Sequence, residues 1–168
     1  TRAHVVGRAK FKSNYDISPL IVSRERRSIV ADHTLTPLDI FTGRTYGDTI
    51  LRAQSNLDSH GYTIHPLFRF GFPARREVVI ALVPYRCMLP AGLDGILVTG
   101  VGAGYHRDTL PIVRMQPDVQ NQGYAAGLAA AMAAKTKQTV RTIDVKALQK
   151  QLVDKGNLAP ATLSHQDS

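Results

Sequence analysis

The segment Val78-Val79-Ile80-Ala81-Leu82-Val83-Pro84-Tyr85-Arg86, followed by Leu89-Pro90-Ala91-Gly92-Leu93-Asp94-Gly95-Ile96-Leu97-Val98-Thr99-Gly100, decides how the chain is read. Val78–Val83 and Ile96–Thr99 are apolar runs without alternation, the pattern of strands covered on both faces in α/β folds. The proline- and glycine-containing stretch between them reads as a turn. Gly100-Val101-Gly102-Ala103-Gly104 follows the second run at once. Pro117 then opens a helix reaching about Lys135, because proline suits a first helical turn and the residues beyond it are strong helix formers. Gly123 and Gly127 lie on it at four-residue spacing, so one face is narrow enough for close approach by a neighbour.

Working outward, a last helix starts at the capping residue Asp144 and runs to Lys155, with Val145, Leu148, Leu152 and Val153 as its apolar stripe and Gly156 as its stop. The tail from Ala159 to Ser168 reads as disordered. Upstream, Thr36-Pro37-Leu38-Asp39 is a helix-start signal, and Gly43 keeps that helix short. Residues 47–54 read as a second short helix. Residues 1–36 read as strand-rich, from Val5-Val6, Ile17–Val22 and Ser28-Ile29-Val30-Ala31. Residues 55–76 hold His60, Tyr62, His65, Phe68, Phe70 and Phe72 among glycines and prolines, and read as a loop or irregular hairpin.

The 168 residues fit one folded unit, and a mean apolar content of 43% with 20% charged residues is globular rather than disordered composition. Cys87 is the one cysteine, which excludes an internal disulfide and leaves the compartment open. No apolar stretch approaches the ~20 residues a membrane helix requires. The first residues, Thr1-Arg2-Ala3-His4, do not begin a secretory signal, and the absence of an initial Met suggests a processed form or one segment of a larger protein. The net charge of +8 comes from scattered Lys and Arg with no aromatic interleaving and no Trp. A basic nucleic-acid-binding domain is therefore the third-ranked reading, supported by charge alone.

Single motifs are weak. The Gly100–Gly104 turn lacks the third glycine and the acidic partner of a dinucleotide fingerprint. Asp58, His60 and His65 have no strong third ligand nearby, so no metal is expected. His106 alone reads as a structural histidine. Arg86 beside Cys87 favours a lowered thiol pKa, against the plainer reading of inert packing.

The ordered series of motifs is more specific. Val83-Pro84-Tyr85-Arg86-Cys87-Met88-Leu89-Pro90-Ala91-Gly92-Leu93-Asp94, then Gly95–Gly100, then Tyr105-His106-Arg107, then Ile112-Val113-Arg114-Met115-Gln116-Pro117, then Gly123-Tyr124-Ala125-Ala126-Gly127 resembles the C-terminal part of a family of FAD-dependent oxidoreductases. That family carries I-P-Y-R-x-L-x-P-x-G-x-x-N-L-L-V-A-G-R, T-H-E, I-R-V-M-P and G-Q-A-A-G in this order. Arg26-Arg27-Ser28-Ile29-Val30, Thr34–Asp39, Gly43-Arg44, Asp58-Ser59-His60 and the Asp144 helix extend the likeness over about residues 24–156.

The resemblance implies an α/β fragment: the C-terminal part of a two-domain FAD-binding fold, with short strands, a final strand–loop–Ala-rich helix and a C-terminal helix. It implies a substrate-side or cap portion over 1–82, the end of the FAD domain over 83–140, the last helix over 141–158 and a tail over 159–168. FAD is the implied cofactor. Gly100, Val101, Gly102, Arg114, Gln116, Pro117, Asp118 and Gly123 are its implied contacts. His106 and Arg114 would lie nearest flavin and substrate, with His60, Tyr62, His65 and Tyr85 lining the substrate side. The adenine-binding G-x-G-x-x-G segment is not in this sequence, so the implied partners are an N-terminal FAD-binding segment or chain and a small-molecule substrate, within an oligomer. Four positions depart from the family pattern: Val101 replaces Arg, Arg107 replaces Glu, and Asp118-Val119 replaces Thr-Cys. They support a second reading, a catalytically degenerate flavoprotein-like structural or interaction subunit.

Overall fold

A computed structural model describes Val6, Ala9 and residues 27–59, 66–70 and 78–163. In order these form α1 (Pro37–Phe41), β1 (Thr49–Ser55), α2 (Pro66–Phe70), β2 (Val79–Pro84), α3 (Leu110–Val113), α4 (Gln116–Thr136) and α5 (Val145–Asp154), with short 3₁₀ turns between. The described part is mixed helix with a two-stranded sheet, an α/β fragment.

β1 and β2 are antiparallel, with Leu51 opposite Val83, Arg52 opposite Leu82, Ala53 opposite Ala81 and Gln54 opposite Ile80. Successive side chains alternate between faces. Leu51, Ala53, Val79, Ala81 and Val83 are therefore buried with Leu110, Ile112 and Val113 of α3, while Arg52, Gln54 and Ile80 look outward. A second core joins Tyr85, Met88 and Leu89 to Ala125, Ala129 and Ala133 of α4 and Leu148 and Leu152 of α5.

Both long helices form where the sequence places them. Pro117 stands in the first turn of α4, and Lys137 ends it in the left-handed region at φ 55°. Asp144 Oδ1 accepts the Ala147 N–H at 3.1 Å, and Gly156 follows α5 at φ 77°. At α1, Thr36 and Asp39 bond to each other's backbone amides in a full capping box.

Several expectations are corrected. Residues 47–54 contribute a strand, not a helix: Leu, Arg, Ala and Gln carry helix propensity, but pairing with the apolar β2 overrides it. Ile96–Thr99 is not a buried strand. Ile96 is 47% exposed, and the run makes one ladder-like bond, Val98 N–H to Met88 O at 2.9 Å. Val6 is helical rather than extended, and Ser28–Ala31 is extended but forms no strand of the sheet: it joins the fold through the Ala31–Pro90 bridge and the bonds Ile29 N–H to Gly102 O and Ala91 N–H to Val30 O. The Ile17–Val22 expectation lies outside the described residues. The tail is structured at its start, where Pro160–Thr162 forms a 3₁₀ turn and Thr162 is buried.

Candidate functional site

The glycine turn is a 3₁₀ turn, Gly100–Gly102, with Gly100 at φ 66°. Two extended segments and the 3₁₀ turn Tyr85–Met88 hold it and the residues just after it. Ile29 N–H donates to Gly102 O at 2.9 Å, Leu35 N–H donates to Gly104 O at 2.9 Å, and Gly104 N–H donates to Cys87 O at 2.8 Å. A Cβ on Gly104 would stand 2.5 Å from both Ala31 Cβ and His33 O, so only glycine fits there.

Gln122, fully buried on α4, fastens this turn to the helix. Its Oε1 accepts the Gly100 N–H at 2.6 Å, and its Nε2 donates to the Tyr105 hydroxyl. Val119 also stands against Gly100, where an added Cβ would lie 3.7 Å from its side chain. The loop after Ile96–Thr99 and the N-terminus of α4 thus lie side by side. Gln116 and Pro117 are exposed at that N-terminus, and an added Cβ at Gly123 or Gly127 would meet nothing within 4 Å.

The other candidate residues are placed as follows. His106 stands before the 3₁₀ turn Arg107–Thr109, and its Nδ1 accepts the Asp108 N–H at 3.2 Å; the ring is about half exposed. Arg114 is engaged by Asp58. Its Nη2 donates to Asp58 O at 2.7 Å and Asp58 Oδ2 at 3.0 Å, with the side chain mostly buried. It thereby ties the end of α3 to the segment leading to His60, Tyr62 and His65, which lie outside the described residues. Tyr85 is 2% exposed, and its hydroxyl donates to Val140 O at 2.7 Å, so it sits in the second core. Cys87 is fully buried, and burial pushes its thiol up to about 12, so it is not the activated thiol that its neighbour Arg86 suggested. Arg86 is engaged elsewhere, with Asp48 at 3.0 Å.

Asp118 stands in the first turn of α4 but faces the sheet. It is 6% exposed, and its Oδ2 is buried without a hydrogen-bond partner. Burial raises its pKa to about 6, and the Gln54 backbone N–H, donating to the carboxylate, partly offsets that rise.

Sequence reading did not find two features here. One is Gln122, whose only signal is a polar residue on the Ala-lined buried face of a helix. The other is the cluster beside α1: the Asp39 carboxylate, Arg44 at 2.9 Å from it, and His33, whose Nε2 lies 3.2 Å from the Tyr46 hydroxyl. Burial lowers the His33 pKa, which favours the neutral ring, and the nearby Asp39 partly opposes this.

The model of the family described as FAD dependent oxidoreductase matches residues 2–152. The chain belongs to that family. Its cofactor is accordingly FAD. No curated protein and no solved structure matches the chain.

The residues present fit part of that group. The glycine turn and the α4 N-terminus are adjacent, held by a buried amide, and open on the Gly123 side. A helix N-terminus beside an open backbone turn suits a phosphate or the electron-rich edge of a flavin. Asp118 does not oppose this as a surface anion would, because its carboxylate is directed inward toward β1.

Proposed function

We propose that this chain forms the C-terminal part of a flavin site that an N-terminal FAD-binding segment, in the same protein or in a companion chain, completes. The observation that carries this reading is the Gln122 link between the Gly100–Gly102 turn and α4, within a chain matched to the FAD dependent oxidoreductase family. Bound FAD supplies the hydride or electron transfer itself. The chain's own residues bind and orient. Gly100, Val101 and Gly102 offer a side-chain-poor backbone, and Gln116, Pro117 and Gly123 form the open start of α4 beside it.

Arg114 acts from the substrate side. Locked on Asp58, it fixes the segment that leads to His60, Tyr62 and His65. His106, half exposed with its Nδ1 accepting the Asp108 N–H, is the group assigned to exchange a proton with substrate. The proposed partners are therefore the N-terminal segment and a small-molecule substrate, within an oligomer.

The test uses the full protein with its FAD-binding segment. Gln122→Leu leaves the Gly100 N–H and the Tyr105 hydroxyl without their shared partner. It is expected to weaken FAD retention at least tenfold, read by fluorescence of released flavin, while Gln122→Glu, which keeps the acceptor, recovers part of it. Unchanged FAD retention in Gln122→Leu would remove the glycine turn from the flavin site.

The second reading, a degenerate subunit without turnover, is favoured by Val101, Arg107 and Asp118, which replace the family's Arg, Glu and Thr.

A further inference from the structure

Two adjoining depressions lie over Arg52 and Ile80 on the outer face of the two-stranded sheet. One is a cleft of about 650 Å³ between β1–β2, α1 and the Ala159–Thr162 turn, lined mainly by apolar groups such as Leu35, Ile40, Ile80 and Leu82. The other is a smaller pocket of about 330 Å³ at the start of α4, lined by polar Gln54, Asp118, Asn121 and Asn157 together with apolar Met115 and Pro117. Arg52 and Ala159 line both, so the two adjoin one another.

Their charges are unspent in a specific pattern. Arg44 and Asp39 in the cleft neutralise one another at 2.9 Å. Arg52 has no carboxylate partner among the described residues; its guanidinium is held by donation to Gln54 Oε1 at 2.7 Å. Asp118 is nine-tenths buried with Oδ2 unpartnered. Arg52 and Asp118 line the same small pocket without pairing with each other. Asn121 and Asn157 are bonded to one another at 3.0 Å and brace the wall. A buried carboxylate oxygen without a partner is costly, and so is rare unless a ligand or water supplies a donor.

We propose that these adjoining depressions bind a free α-amino acid with an apolar side chain. Its ammonium meets Asp118, its carboxylate meets Arg52, and its side chain lies over Ile80 and Leu82 in the cleft. Opposite charges a few ångströms apart on one carbon are what a small pocket with one guanidinium and one carboxylate, separated from each other, selects. An apolar amine satisfies only Asp118, and a fatty acid only Arg52. The proposal concerns binding; the pocket shares Pro117 with the proposed flavin site, so flavin content is recorded with every titration.

The experiment is a calorimetric titration of the full-length protein, with its flavin content recorded on the same sample. The ligands are L-leucine, L-leucinamide (ammonium without carboxylate) and 4-methylpentanoate (carboxylate without ammonium). Leucine is expected to bind at least tenfold more tightly than either analogue. Arg52→Gln is expected to reduce leucine affinity about tenfold and to leave leucinamide unchanged. Equal binding of leucine and either analogue, or no heat with any of the three, overturns the proposal. The analogue comparison needs no variant, so it stands even if a substitution disturbs folding. Absence of flavin with leucine binding intact counts against the flavin reading alone.

Discussion

Asp118→Asn is expected to stabilise the protein in a pH-dependent way. The carboxyl is 6% exposed and its pKa is raised from 3.8 to about 6, chiefly by burial. The folded state therefore holds this proton over a range where the unfolded chain has released it. With more protons on the native state, stability falls as pH rises from about 4 to about 6, and the loss is complete above that. A rise of this size makes the ionised carboxylate cost about 3 kcal/mol in the fold. The groups around it are Gln54 on β1, Asn121 on its own helix and Asn157 beyond α5, all neutral, with Arg52 as the one charged residue lining the pocket.

Asparagine keeps an acceptor for the Gln54 N–H and has no ionised form. Wild type and variant should therefore have similar stability near pH 4. The variant should lead by up to about 3 kcal/mol at pH 8, or about 6–12 °C in Tm for a chain of this size. Thermal unfolding of both proteins across pH 4–8 measures the difference. Parallel pH profiles would refute the account, because they would mean that Asp118 ionises in the fold as freely as in the unfolded chain.

Two other substitutions test the frame of the site. Gly104→Ala places a methyl 2.5 Å from Ala31 Cβ and His33 O and should cost about 2–4 kcal/mol, measured by urea unfolding, with Gly123→Ala, where nothing lies within 4 Å, as the near-neutral control. Tyr85→Phe removes the donor to Val140 O and should cost about 1–3 kcal/mol by the same assay, with no change in substrate KM, since Tyr85 lies in the core with α4 and α5.

Long, capped helices were legible because their signals are local. Pro117, Asp144, Thr36 and Gly156 act within a turn of where they stand, and each appears where its chemistry requires. β1 was not legible as a strand, although Leu51, Ala53 and Ser55 are buried and Arg52 and Gln54 exposed in strict alternation. Four residues of helix-forming type masked a period of two that only the pairing with β2 makes decisive. Ile96–Thr99 failed in the opposite way: its composition suits a strand, but a strand is formed by its neighbour, and none of the described strands lies beside it.

At the site, the glycine turn and the α4 N-terminus could be named from their motifs. That Gln122 joins them, that Arg114 turns to Asp58, and that Asp118 faces inward are consequences of packing between elements far apart in sequence. Such long-range polar contacts leave no periodic trace.

The central claim is that this chain helps to hold FAD. The most direct measurement is the visible absorption spectrum of the native, undissociated protein, followed by identification of the cofactor released on denaturation. The account predicts flavin bands that accompany this chain and its FAD-binding segment, and FAD in the released fraction. A colourless protein that takes up no added FAD with that segment present would contradict it.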